Sequence, residues 1–342
     1  MTDADSMFLI RVAGTDIAFP CAASDTITRA ALRAGVPLLY ECNTGSCGSC
    51  KVELVSGGID SLRPDSPALS ERDRARQRIL GCQARPTNDC VIKARVDQAA
   101  ALVAAPRPIE ATLTGFRDLT HDLREFDFGL PLAAPFHPGQ YALLHLPGMA
   151  VGRAYSMSNT AGRACWQFQI KRVPGGVATG VLFDRLQVGD RVVIDGPYGH
   201  AYLRTDAPRD VVCIAGGSGL APVLSIARGV ADVPALHGRY VHFFYGGRTP
   251  QDICGEDLLA AVPGLRGRHT YIPVVSAPEL IPAGAWRGHT GFVHEAAARV
   301  LGHDLSGYEY YFAGPPPMAV AVQQLLIQAK VPHAQLHFDQ FF

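Results

Sequence analysis

Glu41-Cys42-Asn43-Thr44-Gly45-Ser46-Cys47-Gly48-Ser49-Cys50 is the stretch on which the reading of this chain turns. Its cysteines stand as C-x4-C-x2-C, and Cys82 follows downstream in Gly81-Cys82-Gln83-Ala84. Four thiolates at this spacing can converge on two irons, so Cys42, Cys47, Cys50 and Cys82 are the expected metal ligands of a 2Fe–2S cluster. Gly45 and Gly48 suit a loop whose backbone turns inward and offers N–H groups to sulfur. Structural zinc is the competing metal reading. It prefers paired C-x2–4-C hooks, and the nearest cysteine to Cys82 is Cys90, eight residues on. Four ordinary buried cysteines are the plainest alternative. The other five, Cys21, Cys90, Cys165, Cys213 and Cys254, are scattered and read as small buried hydrophobes.

Around this loop the chain is long and balanced. Its 342 residues predict two or three domains, and 48% hydrophobic against 18% charged residues lets each bury a core. The 31 basic and 31 acidic side chains cancel, and residues 1–97 hold 12 of each. No basic stripe points to nucleic acid, and no basic amphipathic helix points to a lipid surface. The acidic start lacks a signal-peptide core. The longest uncharged apolar stretch, Val211–Ala227, is broken by Gly216, Gly217, Gly219 and Pro222, which makes it a poor membrane span. A cytoplasmic bacterial protein is expected, where clustered cysteines bind metal or do redox chemistry.

Before the loop, residues 7–20 predict a strand, a turn at Gly14–Asp16 and a second strand. Ser24 or Asp25 can cap a helix over Thr26–Ala34 that stops at Gly35. After the loop come a strand Lys51–Ser56, a helix Ser70–Arg78 whose Ser70 and Asp73 match a capped start, and a strand Val91–Val96. This first part resembles a plant-type ferredoxin domain over residues 7–97, on YECNTGSCGSCKVEL and GCQA. The resemblance implies a β-grasp fold. Asn43 stands where relatives in bacterial oxygenase reductases often carry Arg, a change that removes no ligand.

Ala99–Pro108 is Ala/Pro-rich, without period, and reads as a linker. Then short segments between Gly/Pro turns, Glu110–Gly115, Gln140–Leu146, Cys165–Val173 and Arg191–Asp195, predict an antiparallel β-barrel. Arg153-Ala-Tyr155-Ser156 suits a flavin: Arg for a pyrophosphate, Tyr for stacking, Ser for a ring nitrogen. A barrel strand with a surface Arg and a core Tyr reads equally well from the quartet alone. Gly175-Gly176-Val177-Ala178-Thr179 enters a helical run and can seat an anion, or be a hairpin turn. In this order the pieces are similar to the flavin domain of the ferredoxin–NADP reductase superfamily, which implies FAD. Arg153, Tyr155 and Ser156 match its flavin motif. Gly175, Gly176, Val177 and Thr179 match its pyrophosphate turn, and Lys171 to Val173 match the strand beside the adenosine half.

From Asp210 apolar strands (Val211–Ala215, Tyr240–Tyr245, Thr270–Val275, Tyr308–Ala313) alternate with helical stretches, which predicts a parallel Rossmann-like sheet. Three segments follow strand ends: Gly216-Gly217-Ser218-Gly219-Leu220-Ala221-Pro222, Tyr245-Gly246-Gly247-Arg248, and Ala313-Gly314-Pro315-Pro316-Pro317-Met318. Open parallel sheets bind their ligands there. A glycine-rich loop alone is equally a close helix–sheet turn. Together the segments resemble the nicotinamide half of the same superfamily. That implies an NADH site at Gly217, Ser218, Gly219, Pro222, Gly246, Arg248, Gly314, Pro315 and Met318, with Ala313 where relatives commonly have Cys. Tyr155, Ser156 and Ala313 are the positions expected beside the reacting atoms, and Phe341 of the aromatic tail can cover the flavin or belong to a packed strand. The histidines form no metal pattern.

The whole chain thus resembles the reductase component of bacterial multicomponent (aromatic-ring) oxygenases. The implied architecture is multidomain, α+β and α/β. A ferredoxin domain over 1–98 and a linker over 99–108 precede a FAD barrel over 109–206 and an NAD domain over 207–342. The implied activity carries hydride from NADH to FAD and single electrons through the cluster. The acceptor is a terminal oxygenase, a Rieske dioxygenase or a di-iron monooxygenase, or its Rieske-type ferredoxin, and a monomer without nucleic-acid or membrane partners is expected. Two rivals stand beside it. One is an electron carrier or redox sensor with a degenerate nucleotide site, resting on Ala313; the other is a flavin reductase acting directly on a small molecule.

Overall fold

The computed structural model describes residues 6–96, 104–282 and 284–340. The first sheet starts with the expected hairpin, β1 (Met7–Val12) and β2 (Ala18–Ala22). Helix α1 (Ile27–Arg33) follows. Its cap is Thr26, not Ser24 or Asp25, because the Asp25 carboxylate instead accepts the Thr26 N–H. Then come β3 (Lys51–Ser56), β4 (Ile59–Ser61), α2 (Glu71–Ala75), β5 (Arg78–Leu80), β6 (Ala84–Pro86) and β7 (Cys90–Lys93). The sheet order is β2-β1-β7-β3-β5, with β1 and β7 parallel. Ile27, Ala30 and Ala31 of α1 join Ile10, Phe19, Val52 and Ile92 in one core. This is the β-grasp arrangement. α2 has the expected Ser70–Asp73 capping box but is shorter than Ser70–Arg78: Gln77 turns at φ 52°, and Arg78 already belongs to β5.

The second sheet holds β8 (Arg107–Asp118), β9 (Leu123–Gly129), β10 (Tyr141–His145), β11 (Arg153–Ser156), β12 (Cys165–Lys171) and β13 (Arg191–Tyr198), with α3 (Val177–Asp184) between the last two. Its order is β11-β10-β13-β8-β9-β12. β8 begins at Arg107, so the end of the expected linker is strand; residues 97–103 lie outside the described residues. β9 adds to the expected strands. Its alternation is masked by Glu125, which is buried yet accepts bonds from Arg117 (2.9 Å) and Gln169 (2.8 Å).

The third sheet contains β14 (Asp210–Gly216), β15 (Val241–Gly247), β16 (His269–Val275), β17 (His289–Thr290), β18 (Tyr308–Gly314) and β19 (Leu336–Gln340), all parallel, in the order β17-β16-β15-β14-β18-β19. Helices α4 (Leu220–Asp232), α5 (Glu256–Ala260), α6 (Val293–Leu301) and α7 (Pro316–Gln328) cover it. Alternate residues of β14 feed two cores. Val211, Cys213 and Ala215 meet Val223 and Leu224 of α4, while Val212 and Ile214 meet Ala319, Val322 and Leu326 of α7. A parallel sheet needs this covering on both faces, which is why its strands read as continuous apolar runs.

The chain divides into two compact units: Met1–Ile109 with Ala142–Ala154 and Val193–Gly199, and Glu110–Tyr141 with Tyr155–Val192 and His200–Phe342. No helix among the described residues is long and apolar enough to cross a membrane.

Candidate functional site

The cysteine loop is irregular and is shaped by groups that reach it from elsewhere. Asn43 sits at φ 53° and Gly45 at φ 79°, a left-handed conformation that Asn and Gly adopt most readily. A Cβ on Gly45 would lie 2.8 Å from Gln83 Cγ, so the loop is seated on that side chain. Gln83 Nε2 donates to the carbonyls of Asn43 (3.1 Å) and Cys82 (2.8 Å) and to Cys82 Sγ (3.5 Å). Arg63 donates to the Thr44 carbonyl (2.7 Å), and the Ser66 hydroxyl donates to that of Gly45 (2.6 Å). None of Arg63, Ser66 and Gln83 is singled out by the sequence; only the position of Gln83 beside a ligand hinted at its part.

The four predicted ligand cysteines come together as two pairs. Cys50 Sγ lies 3.2 Å from Cys82 Sγ, and Cys42 Sγ accepts the Cys47 backbone N–H at 3.4 Å. The hydrogen bond from the Cys47 thiol pulls the Cys42 thiol down to about 4, and the bond from Cys50 likewise lowers Cys82. The donors Cys47 and Cys50 are pushed up in turn. The bystanders behave differently. Burial raises Cys21 to about 12 and Cys254 to about 11, and it raises Cys213 as well. All nine cysteines are free thiols. Four cysteine sulfurs brought together on one loop and the turn after β5 make a soft all-sulfur donor set that fits the cluster.

The predicted flavin residues lie on β11 and at the start of α3. Arg153 and Tyr155 are half-buried and Ser156 is buried. Gly175 turns at φ 69°, and Gly176 is the N-cap of α3. A Cβ on Gly176 would press on Thr179 Oγ1 and on Val173, so the turn closes tightly around them. Thr179 is buried, and its hydroxyl accepts the Val173 N–H (3.2 Å). Thr179 therefore braces the turn, while the N-terminal amides of α3 remain to meet an anion. Val173 and Val177 are exposed on either side. The glycine cradle at the α3 N-terminus, flanked by exposed apolar side chains, and the Arg, Tyr and Ser of β11 are each groups that fit FAD.

Lys171, expected beside the adenosine half, ends β12. Its ammonium lies 2.9 Å from Asp122 and 3.8 Å from Asp252, and its Cδ is 3.4 Å from where a Cβ on Gly217 would be. It thus faces the nucleotide loop. His121, Asp122 and Asp252 cluster there as potential metal ligands, but both carboxylates already face the Lys171 ammonium. Asp252 also accepts the N–H and hydroxyl of Thr249.

The three nucleotide segments meet at the C-terminal ends of β14, β15 and β18. Gly217–Gly219 form a single helical turn leading into α4, and Tyr245 donates to the Gly217 carbonyl (3.1 Å). A Cβ on Gly219 would collide with the Ala313 carbonyl, so this loop rests directly on the end of β18. Met318 fills the space beside Gly216 and Gly314, which places Pro315 at the N-cap of α7. Arg248 is exposed. Ala313 and Pro222 line one small cavity with Ala201, Tyr311, His337 and Asp339. β19 packs as a sheet strand, with Phe312 and Phe338 stacked at 5.0 Å; Phe341 lies outside the described residues. His337 of β19 bonds the buried Glu309 at 2.6 Å.

Comparison with known proteins agrees with this layout. Residues 10–87 match the 2Fe-2S iron-sulfur cluster binding domain, 110–202 the oxidoreductase FAD-binding domain and 213–324 the oxidoreductase NAD-binding domain. The chain is 37% identical to the ferredoxin–NAD(P)+ reductase CarAd of Metapseudomonas resinovorans, covering 94% of this chain and 96% of that one. It is 32% identical to the phenol 2-monooxygenase reductase component DmpP of Pseudomonas sp. strain CF600, covering 93% and 89%. Among solved structures, the ferredoxin reductase in carbazole 1,9a-dioxygenase superposes with a TM-score of 0.90 at 34% identity, over 98% of this chain and 99% of that one. With its ferredoxin, flavin and nucleotide parts in series, the chain belongs to the family of NAD(P)H-dependent ferredoxin reductases that serve oxygenase systems as electron-transfer components.

Proposed function

We propose that this reductase takes its electrons from NADH and delivers them to a terminal oxygenase or to that oxygenase's small ferredoxin. Three working domains, over 1–98, 109–206 and 207–342, divide the task. The observation that carries the reading is the convergence of Cys42, Cys47, Cys50 and Cys82, with Cys50 and Cys82 Sγ 3.2 Å apart and Cys42 Sγ accepting the Cys47 N–H at 3.4 Å, in a chain that also carries the glycine-rich turns of both nucleotide parts. When bound, FAD takes the electron pair of the nicotinamide hydride and releases it singly to the cluster, a conversion nicotinamide cannot make alone.

The chain's own residues bind and orient. FAD would be held by the N-terminal amides of α3 from Val177 onward, with Arg153 available to its pyrophosphate, Tyr155 to back its ring and Ser156 to donate to it. Gly217, Ser218 and Gly219 let backbone approach the nicotinamide nucleotide's phosphates, with Lys171 beside them. Pro222, Ala313, Gly314, Pro315 and Met318 shape the nicotinamide end, and Gly246 and Arg248 the ribose side. Ala313 keeps that end small, so positioning rather than a thiol governs hydride transfer. A clustered set of metal-binding cysteines suits a reducing compartment, and the cytoplasm is the location this reading assigns.

Anaerobic titration of the as-isolated protein with NADH and with NADPH, followed by absorption, tests this. NADH is expected to bleach the flavin and then the cluster bands at lower concentration than NADPH. Absence of any NADH-driven flavin reduction would sink the reading.

A further inference from the structure

Helix α1 carries two arginines that point away from the ferredoxin domain's own surface and into the strand β13. Arg33 Nη2 lies 2.8 Å from Asp195 Oδ2, and its Nη1 donates to the Tyr198 hydroxyl at 3.1 Å. Tyr198 in turn donates to Asp195 at 3.0 Å. Arg29 Nη1 lies 3.9 Å from the same carboxylate oxygen. Beside them the Gly199 N–H donates to the Tyr40 hydroxyl, just ahead of the cysteine loop, at 3.1 Å. All of these residues belong to the first compact unit. The side chains of Asp195 and Arg29 are only 2% and 7% exposed.

Arg29 also faces the other way. Its Nε donates to Thr26 Oγ1 at 2.8 Å, and its Nη2 lies 3.5 Å from the carbonyl of Cys82. One buried guanidinium therefore touches both the barrel's carboxylate and the backbone of a predicted cluster ligand. Buried ion pairs are weak devices for stability, because desolvation consumes much of the Coulomb gain. They are strong devices for register and for the local potential, since charge acts with little screening where water is excluded. Cluster potentials respond to net charge, hydrogen bonds and solvent exposure around the sulfurs.

We propose that Arg29 is a positioning residue of the electron path: with Arg33 it latches the ferredoxin domain onto Asp195 and Tyr198, and through its contact with Cys82 it raises the cluster's reduction potential, Asp195 partly offsetting that charge. The proposal rests on Cys82 being a cluster ligand.

The test measures the cluster's reduction potential by electron paramagnetic resonance titration of the loaded full chain, and the flavin-to-cluster transfer rate by stopped flow. Arg29→Gln is expected to lower the cluster-to-flavin share of electrons about threefold, equivalent to about 28 mV downward for a one-electron couple. Arg29→Lys keeps the charge and stays near wild type, whereas Asp195→Asn moves the potential upward. Arg33→Gln weakens the latch without touching Cys82, so transfer slows while the potential moves less than in Arg29→Gln. NADH-driven flavin reduction is the internal control and stays unchanged. Shifts of the same sign in Arg29→Gln and Asp195→Asn, or none in either, with the cluster spectrum intact, overturn the proposal. If Arg29→Gln does not fold, the contrast between Arg29→Lys and Asp195→Asn decides it. A wild type without any iron–sulfur signal would instead refute the ligand reading, and this proposal with it.

Discussion

The cysteine loop and the glycine-rich loop after β14, the two proposed cofactor sites, both run on irregular backbone, yet they are built by opposite means. The stretch from Cys42 to Cys50 has no sheet beneath it. It is held by single side chains from distant positions, Arg63, Ser66 and Gln83. Gly216 to Gly219 instead continue β14, and Ala215 is in register with Tyr245 on one side and Ala313 on the other. The first loop depends on its donor set and on side-chain props; the second depends mainly on close backbone packing, with Tyr245 and Met318 filling in around it. The first should tolerate change in its backbone surroundings but not in its donor set, and the second the reverse.

Cys82→Ser should have the largest effect. It removes a ligand held from outside the loop. Cluster absorption and coupled transfer to an acceptor are expected to vanish, while NADH-driven flavin reduction persists; an intact iron–sulfur spectrum would contradict the ligand set. Gly219→Ala comes next. Its methyl would overlap the Ala313 carbonyl, and overpacking of this kind costs about 1–3 kcal/mol. A lower melting temperature and a raised KM for NADH are expected, with the cluster spectrum unchanged. Gln83→Ala removes a prop while sparing every ligand. The loss should be about 1 kcal/mol for each bond to the loop, read as faster iron release to a chelator with hydride transfer intact. Ala313→Cys is the mildest, because the site already positions its ligand. A modest change in the rate of flavin reduction or in the charge-transfer band is expected, and loss of activity would show that the cavity beside Ala313 has no room to spare.

The same contrast explains what was legible in the sequence. Metal ligation demands cysteine at set intervals, so Cys42, Cys47, Cys50 and Cys82 stood out although their loop has no regular structure. Strand–glycine–helix junctions announce themselves through composition, and so Gly217, Gly246 and Gly314 could be placed. Two kinds of feature stayed hidden. Glu125 broke the apolar alternation of β9, because its burial is compensated by Arg117 and Gln169, partners no local pattern reveals. Arg29 and Asp195 lie on separate elements, α1 and β13, and no periodicity links a helix arginine to a carboxylate so far along the chain. The strand of Lys171 was legible, but the pairing of its ammonium with Asp122 and Asp252 was not.

The placement of β14 in the middle of the parallel sheet bears on how the protein matures. Its amides are bonded on both flanks and covered by helices on both faces, so they should be among the slowest to exchange with deuterium whether or not any cofactor is present. Residues 42–50 have no such frame and should exchange quickly until iron arrives. The parallel sheet should therefore keep its protection in the cofactor-free chain, while residues 42–50 should gain theirs only with iron.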